Sequence, residues 1–362
     1  GQAPHRQEPG KQAKCPIDNN FRETALQVVR SLEPPRPVCP VLSAGNFDGV
    51  HLGHQRLIET TVERARALGG SSVLLGFEPH PYAFFRGRSE SEHLLCSREQ
   101  QCELLQTMGV DYLWLLPFND QVARLSAERF VDELLVAGLG VTHVIVGDNF
   151  RFGAGRAGGA ELLRKRGAEK GFSTETLLPI MFEGERISSS RIRHCLLEGK
   201  VEALTPMLGR PYALRGVVQG GDRRGRVLGF PTANLSLPQQ LLPADGIYVT
   251  RLRRLGRDSR SGNGAALRSK PEHCASRAVQ HEEPWPAVSS VGTRPTFYAD
   301  GQRIVETHLL KTPNGGIDLY EQAIEIDFLQ WLRPQERFED AQQLQVAMRS
   351  DTERARVFHA RP

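Results

Sequence analysis

Four continuous apolar runs dominate the first half of this chain: VLLGF (73–77), YLWLLPF (112–118), HVIVG (143–147) and TLLPIMF (176–182). Between and before them lie amphipathic stretches, HQRLIETTVERARALG, REQQCELLQTMG, AERFVDELLVAGLG and AELLRKRGAEKG, each closing on a glycine as helices do. Runs that do not alternate polar with apolar residues are buried on both faces, and helices that return the chain between them force the strands parallel. The expected architecture is therefore an α/β, Rossmann-like parallel sheet with helices on both faces. ALQVVRSL (25–32) reads equally as a short strand or a helix. A helical connector is expected over 189–209, and beyond it the texture changes. RPYALRGVVQGG, RVLGFPTANL, DGIYVTRLRR, RIVETHLL and QAIEIDFLQWLR are short β-like runs broken by Gly and Pro, the pattern of an antiparallel barrel or sandwich. EDAQQLQVAMRSDTERARVFHA closes the chain as a helix.

The expected division is an N-terminal extension over 1–25, an α/β domain over 26–188, the connector over 189–209 and a β domain over 210–358. A stretch of about 253–286, rich in Arg, Ser, Gly and Ala, reads as a surface insertion between two strands. At 362 residues there is room for two cores. Lys+Arg 46 against Asp+Glu 42 and 39% hydrophobic residues point to a soluble globular protein, with no basic stripe that would mark a nucleic-acid partner. No run nears the roughly 20 apolar residues of a membrane span, and no apolar signal core opens the chain. The six cysteines (15, 39, 96, 102, 195 and 274) have no CxxC pairing and read as free thiols in a reducing cytoplasm.

The chemistry-bearing stretches sit at the ends of the expected strands. GNFDGVHLGHQ (45–55) leads from an apolar run, VLSA, into a helix, where unpaired backbone N–H groups and a positive dipole end meet phosphate. Gly45 and Gly49 let backbone approach a ligand, while His51 and His54, at i and i+3, share a face and can donate to an α-phosphate under attack. The plainer reading is that one histidine caps the helix and the other packs. GDNFRFG places Asn149 at the carboxyl end of the strand HVIV, either on a nucleotide or in a turn. In ISSSRIR, Ser188 and Ser189 precede Arg191 and Arg193, either a cradle for departing pyrophosphate or a serine cap with exposed arginines. In FEPHP (77–81), His80 turns a loop. In the second half, Thr232 and Asn234 of LGFPTANL point to one side of an extended segment and offer two oxygens to a hard cation. GGDRRGRVLGF is either a phosphate flap or a solvated hairpin. VETHLL puts Glu306 and His308 on one face, where a carboxylate can take the proton of an attacking alcohol or merely sit at the surface.

Taken together and in order, GNFDGVHLGHQ, FEPHP, VGDNFRFG and ISSSRIR resemble the adenylyltransferase half of the prokaryotic bifunctional riboflavin kinase/FAD synthetase family, within the HxGH nucleotidyltransferases. GRPYALRGVV, GRVLGFPTANL, DGIYV, SVGTRPTF, VETHLL, DLY and FLQWLRPQERF resemble its kinase half, and the likeness spans roughly 26–356. The resemblance implies an antiparallel β-barrel riboflavin kinase domain after an FMN adenylyltransferase domain, with riboflavin, FMN and ATP as substrates, FAD as product, and Mg²⁺ or another divalent ion. It implies ATP contacts in the first domain at Gly45, Asn46, Phe47, Asp48, Gly49, His51, His54, Asn149, Ser188, Ser189, Arg191 and Arg193. In the kinase domain it implies ATP or flavin contacts at Gly225, Arg226, Gly229, Pro231, Thr232, Asn234 and Glu306, with Thr232 and Asn234 on the metal and Glu306 as base. The protein is expected to be a cytoplasmic monomer or weak homo-oligomer. Departures are the insertion, Ser289 and Ser290 where the family more often has Ala-Asn, and Glu321 where a glycine is usual after DLY. These keep open a protein with adenylyltransferase activity alone or a flavin-binding regulator. An HxGH loop also occurs in aminoacyl-tRNA synthetases, yet no segment is left over here to bind tRNA.

Overall fold

The structure is a computed structural model, and it describes residues 25–87, 89, 92–219, 232–236, 239–256, 283–293, 303–311 and 317–361. The apolar runs form the centre of a six-stranded parallel sheet: β1 (Gln27–Arg30), β2 (Val41–Ala44), β3 (Ser72–Glu78), β4 (Tyr112–Pro117), β5 (His143–Gly147) and β6 (Ser173–Leu177), in the order β1-β4-β3-β2-β5-β6. Winding runs outward in both directions from β2, so a crevice opens at the carboxyl ends of β2 and β5. Successive residues of β3 face opposite layers. Leu74 packs with Ile58 and Val62 of α1 (Leu52–Ala67) and Leu105 of α3 (Arg98–Thr107), with α2 the short Pro81–Arg86 helix between them in the chain. Val73 and Leu75 pack on the other face with Leu135 and Leu139 of the Phe130–Leu139 helix and with Leu163 of α4 (Ala160–Lys170).

Three local expectations are corrected or decided. ALQVVRSL is a strand, because Gln27–Arg30 pairs in parallel with Tyr112–Leu115, a partner that local sequence does not reveal. TLLPIMF is not one strand: β6 ends at Leu177 and lies at the sheet edge, Leu178 is 83% exposed, and Pro179 cannot donate to a ladder. Met181–Phe182 (β7) instead forms a small hairpin with Glu185–Arg186 (β8). AERFVDELLVAGLG begins as a helical turn at Ala127–Arg129 but continues as a π-helix over Phe130–Leu139, whose buried residues Phe130, Val131, Leu135 and Leu139 recur at four- and five-residue steps.

In the second half, β9 (Tyr212–Gln219), β10 (Thr232–Leu235), β11 (Gly246–Arg254), β12 (Trp285–Thr293), β13 (Arg303–Leu309) and β14 (Ala323–Arg333) close into an antiparallel barrel, which decides between barrel and sandwich. Closure removes every sheet edge. Leu214, Tyr248, Val291, Val305, Ile324 and Phe328 fill the barrel, and Ile192 and Leu196 of α5 (Ser189–Leu197) with Leu204 and Met207 join that same cluster. The closing helix α6 (Ala341–His359) packs outside it through Ala355 on Val249 and Leu332. The N-terminal extension, except residue 25, and most of the insertion lie outside the described residues. Cys96 and Cys102 are buried thiols and Cys195 is half-buried, but Cys39 is disulfide-bonded, which corrects the free-thiol reading there; a disulfide follows proximity in space, not CxxC spacing. No helix among the described residues is long and apolar enough to cross a membrane.

Candidate active sites

The loop from β2 into α1 is held in conformations that side chains rarely adopt. Phe47, Gly49 and Val50 have φ of 50°, 79° and 40°, and for the β-branched Val50 this is a strained backbone. Such strain persists only where the surroundings fix it, and here nearly every polar group of the loop is engaged. Gln101 of α3 donates to the carbonyls of Asn46 and Phe47 at 3.0 and 3.1 Å, and Ser189 donates to the Asp48 carbonyl at 3.0 Å. The Asp48 side chain turns inward, 3% exposed, to accept from Leu95 N–H at 2.8 Å and to pair with Arg193 at 2.5 Å. The Gly49 N–H donates to the Cys96 thiol at 3.3 Å, and burial pushes that thiol up to about 12, so it is inert as a nucleophile.

His51 is the N-cap of α1: its Nδ1 accepts from His54 N–H at 3.2 Å. The sequence-level alternative in which one histidine caps and the other packs is thus realised, with His54 edge-on to Phe47 at 5.4 Å. That capping bond has a chemical consequence. A neutral imidazole whose Nδ1 accepts carries its proton on Nε2, so His51 retains a donor. The two rings stack at 3.6 Å, and Gly53 permits this, since a Cβ there would lie 3.1 Å from His51 Cε1. Burial, then Arg186 and Arg193, push His51 down to about 4, and burial with the neighbouring His51 holds His54 well below its usual range. Both are neutral at pH 7. His54 Nδ1 and Asn46 Oδ1 are buried without a hydrogen-bond partner. Two orphaned polar atoms at the mouth of a strand–helix turn leave hydrogen-bonding capacity that a polar ligand can take up.

Asn149 follows β5 on the far side of the crevice and is exposed; the preceding Asp148 pairs with Arg186. Ser188 caps α5 by accepting from Arg191 N–H at 3.2 Å, so a second helix N-terminus, with no acid in its first turn, abuts the same loop through Ser189. The arginines are not exposed groups. Arg191 donates to the carbonyls of Phe182 at 2.8 Å and Glu185 at 3.1 Å, and Arg193 donates to His93 O at 2.8 Å besides its Asp48 pair. His80 caps α2, accepting from Tyr82 N–H at 3.1 Å, and lines a shallow recess with Asn46, Phe77, Arg98 and Gln101.

On the barrel, antiparallel register sets Asn234 opposite Glu306 and Thr232 opposite His308, and Glu306 also faces Ser290 across β12. Directly opposed residues share a face, so hydroxyl, amide and carboxylate oxygens form one patch, opposite in direction to the buried Val305 and Thr307. Gly225, Arg226, Gly229 and Pro231 lie outside the described residues. The oxygens of Thr232, Asn234 and Glu306, with the His308 imidazole on the same face, suit a hard cation such as Mg²⁺, and no cluster of three or more His, Cys, Asp or Glu that could cage a metal occurs among the described residues. Inside the barrel, Ser289 bridges the hydroxyls of Thr250 and Thr307 at 2.9 and 2.7 Å, which accounts for a serine at that position. Glu321 has φ 57°, which explains why a glycine is the easier residue after DLY.

Residues 36–191 match a family model described as FAD synthetase, and residues 208–359 match one described as riboflavin kinase. A protein from Pseudomonas fluorescens named bifunctional riboflavin kinase/FMN adenylyltransferase is 35% identical over 92% of this chain and 98% of its own. The chain belongs to the bifunctional riboflavin kinase/FMN adenylyltransferase family. A family member of the same name from Escherichia coli K12 is also 35% identical, over 88% of this chain and 92% of its own. A crystal structure described as a macrolide-efflux protein from Streptococcus pneumoniae superposes with a TM-score of 0.74 at 26% identity, covering 91% of this chain and 98% of that one. Within this family member the two halves are also tied to each other. Arg215 of β9 pairs with Glu103 of α3 at 2.6 Å and with Glu325 of β14 at 2.5 Å, and Gln100 donates to Glu325 and to Ala213 O, both at 3.2 Å. Gly53, Gln101, Arg186 and Arg215 were not singled out by motif reading. Of these only Gly53 carried a signal, as the third residue of HLGH.

Proposed function

We propose that this chain makes FAD in two ATP-dependent steps. On the barrel, the ribityl 5′-hydroxyl of riboflavin attacks the γ-phosphorus of ATP, the bond to ADP breaks, and Glu306 takes the hydroxyl proton. Thr232 and Asn234 would hold Mg²⁺, which supplies charge neutralisation on the transferring phosphoryl group when bound. In the α/β half, an FMN phosphate oxygen attacks the α-phosphorus of a second ATP and pyrophosphate leaves. His51, through Nε2–H, and His54 donate to the oxygens of that α-phosphate, and Asn149 orients the nucleotide. Ser188, Ser189 and the α5 N-terminus receive the departing phosphates, with Arg191 close by; Arg193 acts through Asp48 by fixing the loop. The observation that carries this reading is that a stacked, neutral histidine pair at the sheet's switch point and a carboxylate–amide–hydroxyl patch on a closed barrel occur in one chain of this family. Substrates in this reading are the small molecules riboflavin, FMN and ATP. Purified protein incubated with riboflavin, ATP and Mg²⁺ should yield FMN and then FAD by chromatography. FMN accumulating without FAD refutes the adenylyl step; FAD formed from FMN but nothing from riboflavin refutes the kinase step.

A further inference from the structure

Among the described residues, every side chain that hydrogen-bonds the strained 45–50 loop comes from the α/β half or the helix that follows it, with one exception. Arg210 lies beyond α5, at the start of the segment that becomes β9, and its guanidinium reaches back to donate to Gly49 O at 2.8 Å and to Val50 O at 3.3 Å. It also donates to Leu208 O at 3.3 Å. Gln55 of α1 donates to the same two carbonyls, Val50 O and Leu208 O, both at 2.8 Å, so Arg210 and Gln55 together staple the loop to the chain entering the barrel. The fork matters chemically. Only a guanidinium spans adjacent carbonyls with its donors in one plane, while an ammonium is a point charge. The two carbonyls belong to the residues with φ of 79° and 40°, immediately before the capping histidine. Released, Val50 would relax toward negative φ and swing the next residue, His51, off its stack with His54.

We infer that Arg210 is a positioning residue for adenylyl transfer, supplied by the kinase side of the chain: it holds Gly49 and Val50 in the left-handed conformation that aims His51 at the α-phosphate. This rests on the adenylyltransferase reading above. Among the described residues, Arg210 hydrogen-bonds Gly49, Val50 and Leu208 and none of the Glu306 patch, so riboflavin phosphorylation in the same molecule reports whether the chain remains folded.

The test is steady-state kinetics on the full chain for the wild type, Arg210→Ala and Arg210→Lys, with thermal melting of each. Wild type must first make FAD from supplied FMN; if it does not, the adenylyltransferase reading fails before any variant is considered. Given that, Arg210→Ala should lower kcat for FAD formation about 10- to 100-fold, since a shift near 1 Å in a positioned group is worth that much. KM for ATP should stay within about twofold, because the interaction serves the transition state more than ground-state binding. Riboflavin phosphorylation should be unchanged, Arg210→Lys should recover only part of the rate, and added guanidinium ion should partly rescue Arg210→Ala but not wild type. Wild-type kcat in Arg210→Ala overturns the inference. So does a rise in KM with kcat intact, or a parallel loss of both activities with a lowered melting temperature, which would make Arg210 a scaffold residue only.

Discussion

Arg193 was expected from its motif to hold departing phosphate, but its guanidinium is paired at 2.5 Å with Asp48, a carboxylate only 3% exposed that also accepts from Leu95 N–H. Replacing Arg193 with Met keeps the stem's packing and strands that carboxylate. Breaking one side of a buried ion pair costs roughly 3–5 kcal/mol. At about 2–4 °C per kcal/mol for a module of this size, the melting transition of the α/β half should fall by roughly 6–20 °C. The pH dependence has a definite sign. Burial already raises the Asp48 carboxyl above its ordinary value, against the pull of Arg193. A group raised in the folded state contributes fully below its unfolded pKa, near 4, and loses that contribution as pH rises through the folded value. Removing Arg193 raises it further, so the penalty should grow with pH, by up to about 1.4 kcal/mol per unit, and be smaller at pH 5 than at pH 8. Pairing Arg193→Met with Asp48→Asn removes the stranded charge and should cost less than Arg193→Met alone. Calorimetry at the two pH values reads all of this. An Arg193→Met protein with an unshifted, pH-independent transition and a raised KM for ATP would refute the structural role and return Arg193 to the phosphates.

Glu306→Gln should lower riboflavin phosphorylation by on the order of 10²- to 10⁴-fold, the usual worth of a general base, while FAD formation from supplied FMN is untouched; flavin chromatography reads both. Ser289→Ala leaves the Thr250 and Thr307 hydroxyls short of their bridge inside the barrel and should cost about 1–3 kcal/mol in urea unfolding of the barrel, with no effect on the α/β transition. Glu321→Gly should stabilise the barrel by about 0.5–1 kcal/mol, because an exposed glutamate at φ 57° bears left-handed strain that exceeds the entropy glycine adds to the unfolded chain; an unchanged or lower midpoint would contradict this.

The sheets were legible because their signal is periodic and dense. β3, β4 and β5 are runs buried on both faces, and β11, β13 and β14 alternate or run between Gly and Pro breaks, so local pattern and burial agree. Pattern failed where tertiary position overruled it. β6 lies at an edge, so the apolar LPIMF that follows it belongs to a connection and a hairpin, while the mostly polar STETL pairs with β5. Motif order brought His51, His54, Ser188 and Ser189 to one place, as the Ser189–Asp48 contact and the ring stack show. What it did not convey is which groups serve ligand and which serve the loop. Asp48, Arg193 and Cys96 look like site residues by adjacency, but their partners lie 47 to 145 residues away and turn them inward. Arg210, 161 residues from Gly49, has no motif that links it to the histidines. Such restraints are decided by packing, to which sequence spacing is blind.

The neutrality of the two histidines bears on how the loop can accelerate a reaction. A permanently charged pair would bind the ground-state triphosphate strongly, and binding shared equally by substrate and transition state does not raise kcat. Here burial and the nearby Arg186 and Arg193 hold His51 at about 4, so in the adenylyl transfer proposed above it would meet the α-phosphate as a neutral donor. An approaching polyanion opposes those same shifts, since a negative charge within a few ångströms favours the protonated form. In that proposal, as negative charge builds on the α-phosphate oxygens during attack, the imidazoles' hydrogen bonds would strengthen and their basicity would rise, an interaction larger in the transition state than before it. For this the rings must already be aimed, because reorientation during the reaction would cancel the gain. The capping bond from His54 N–H to His51 Nδ1 and the pinned left-handed residues before it supply that aim, and they do so with groups that never touch the nucleotide.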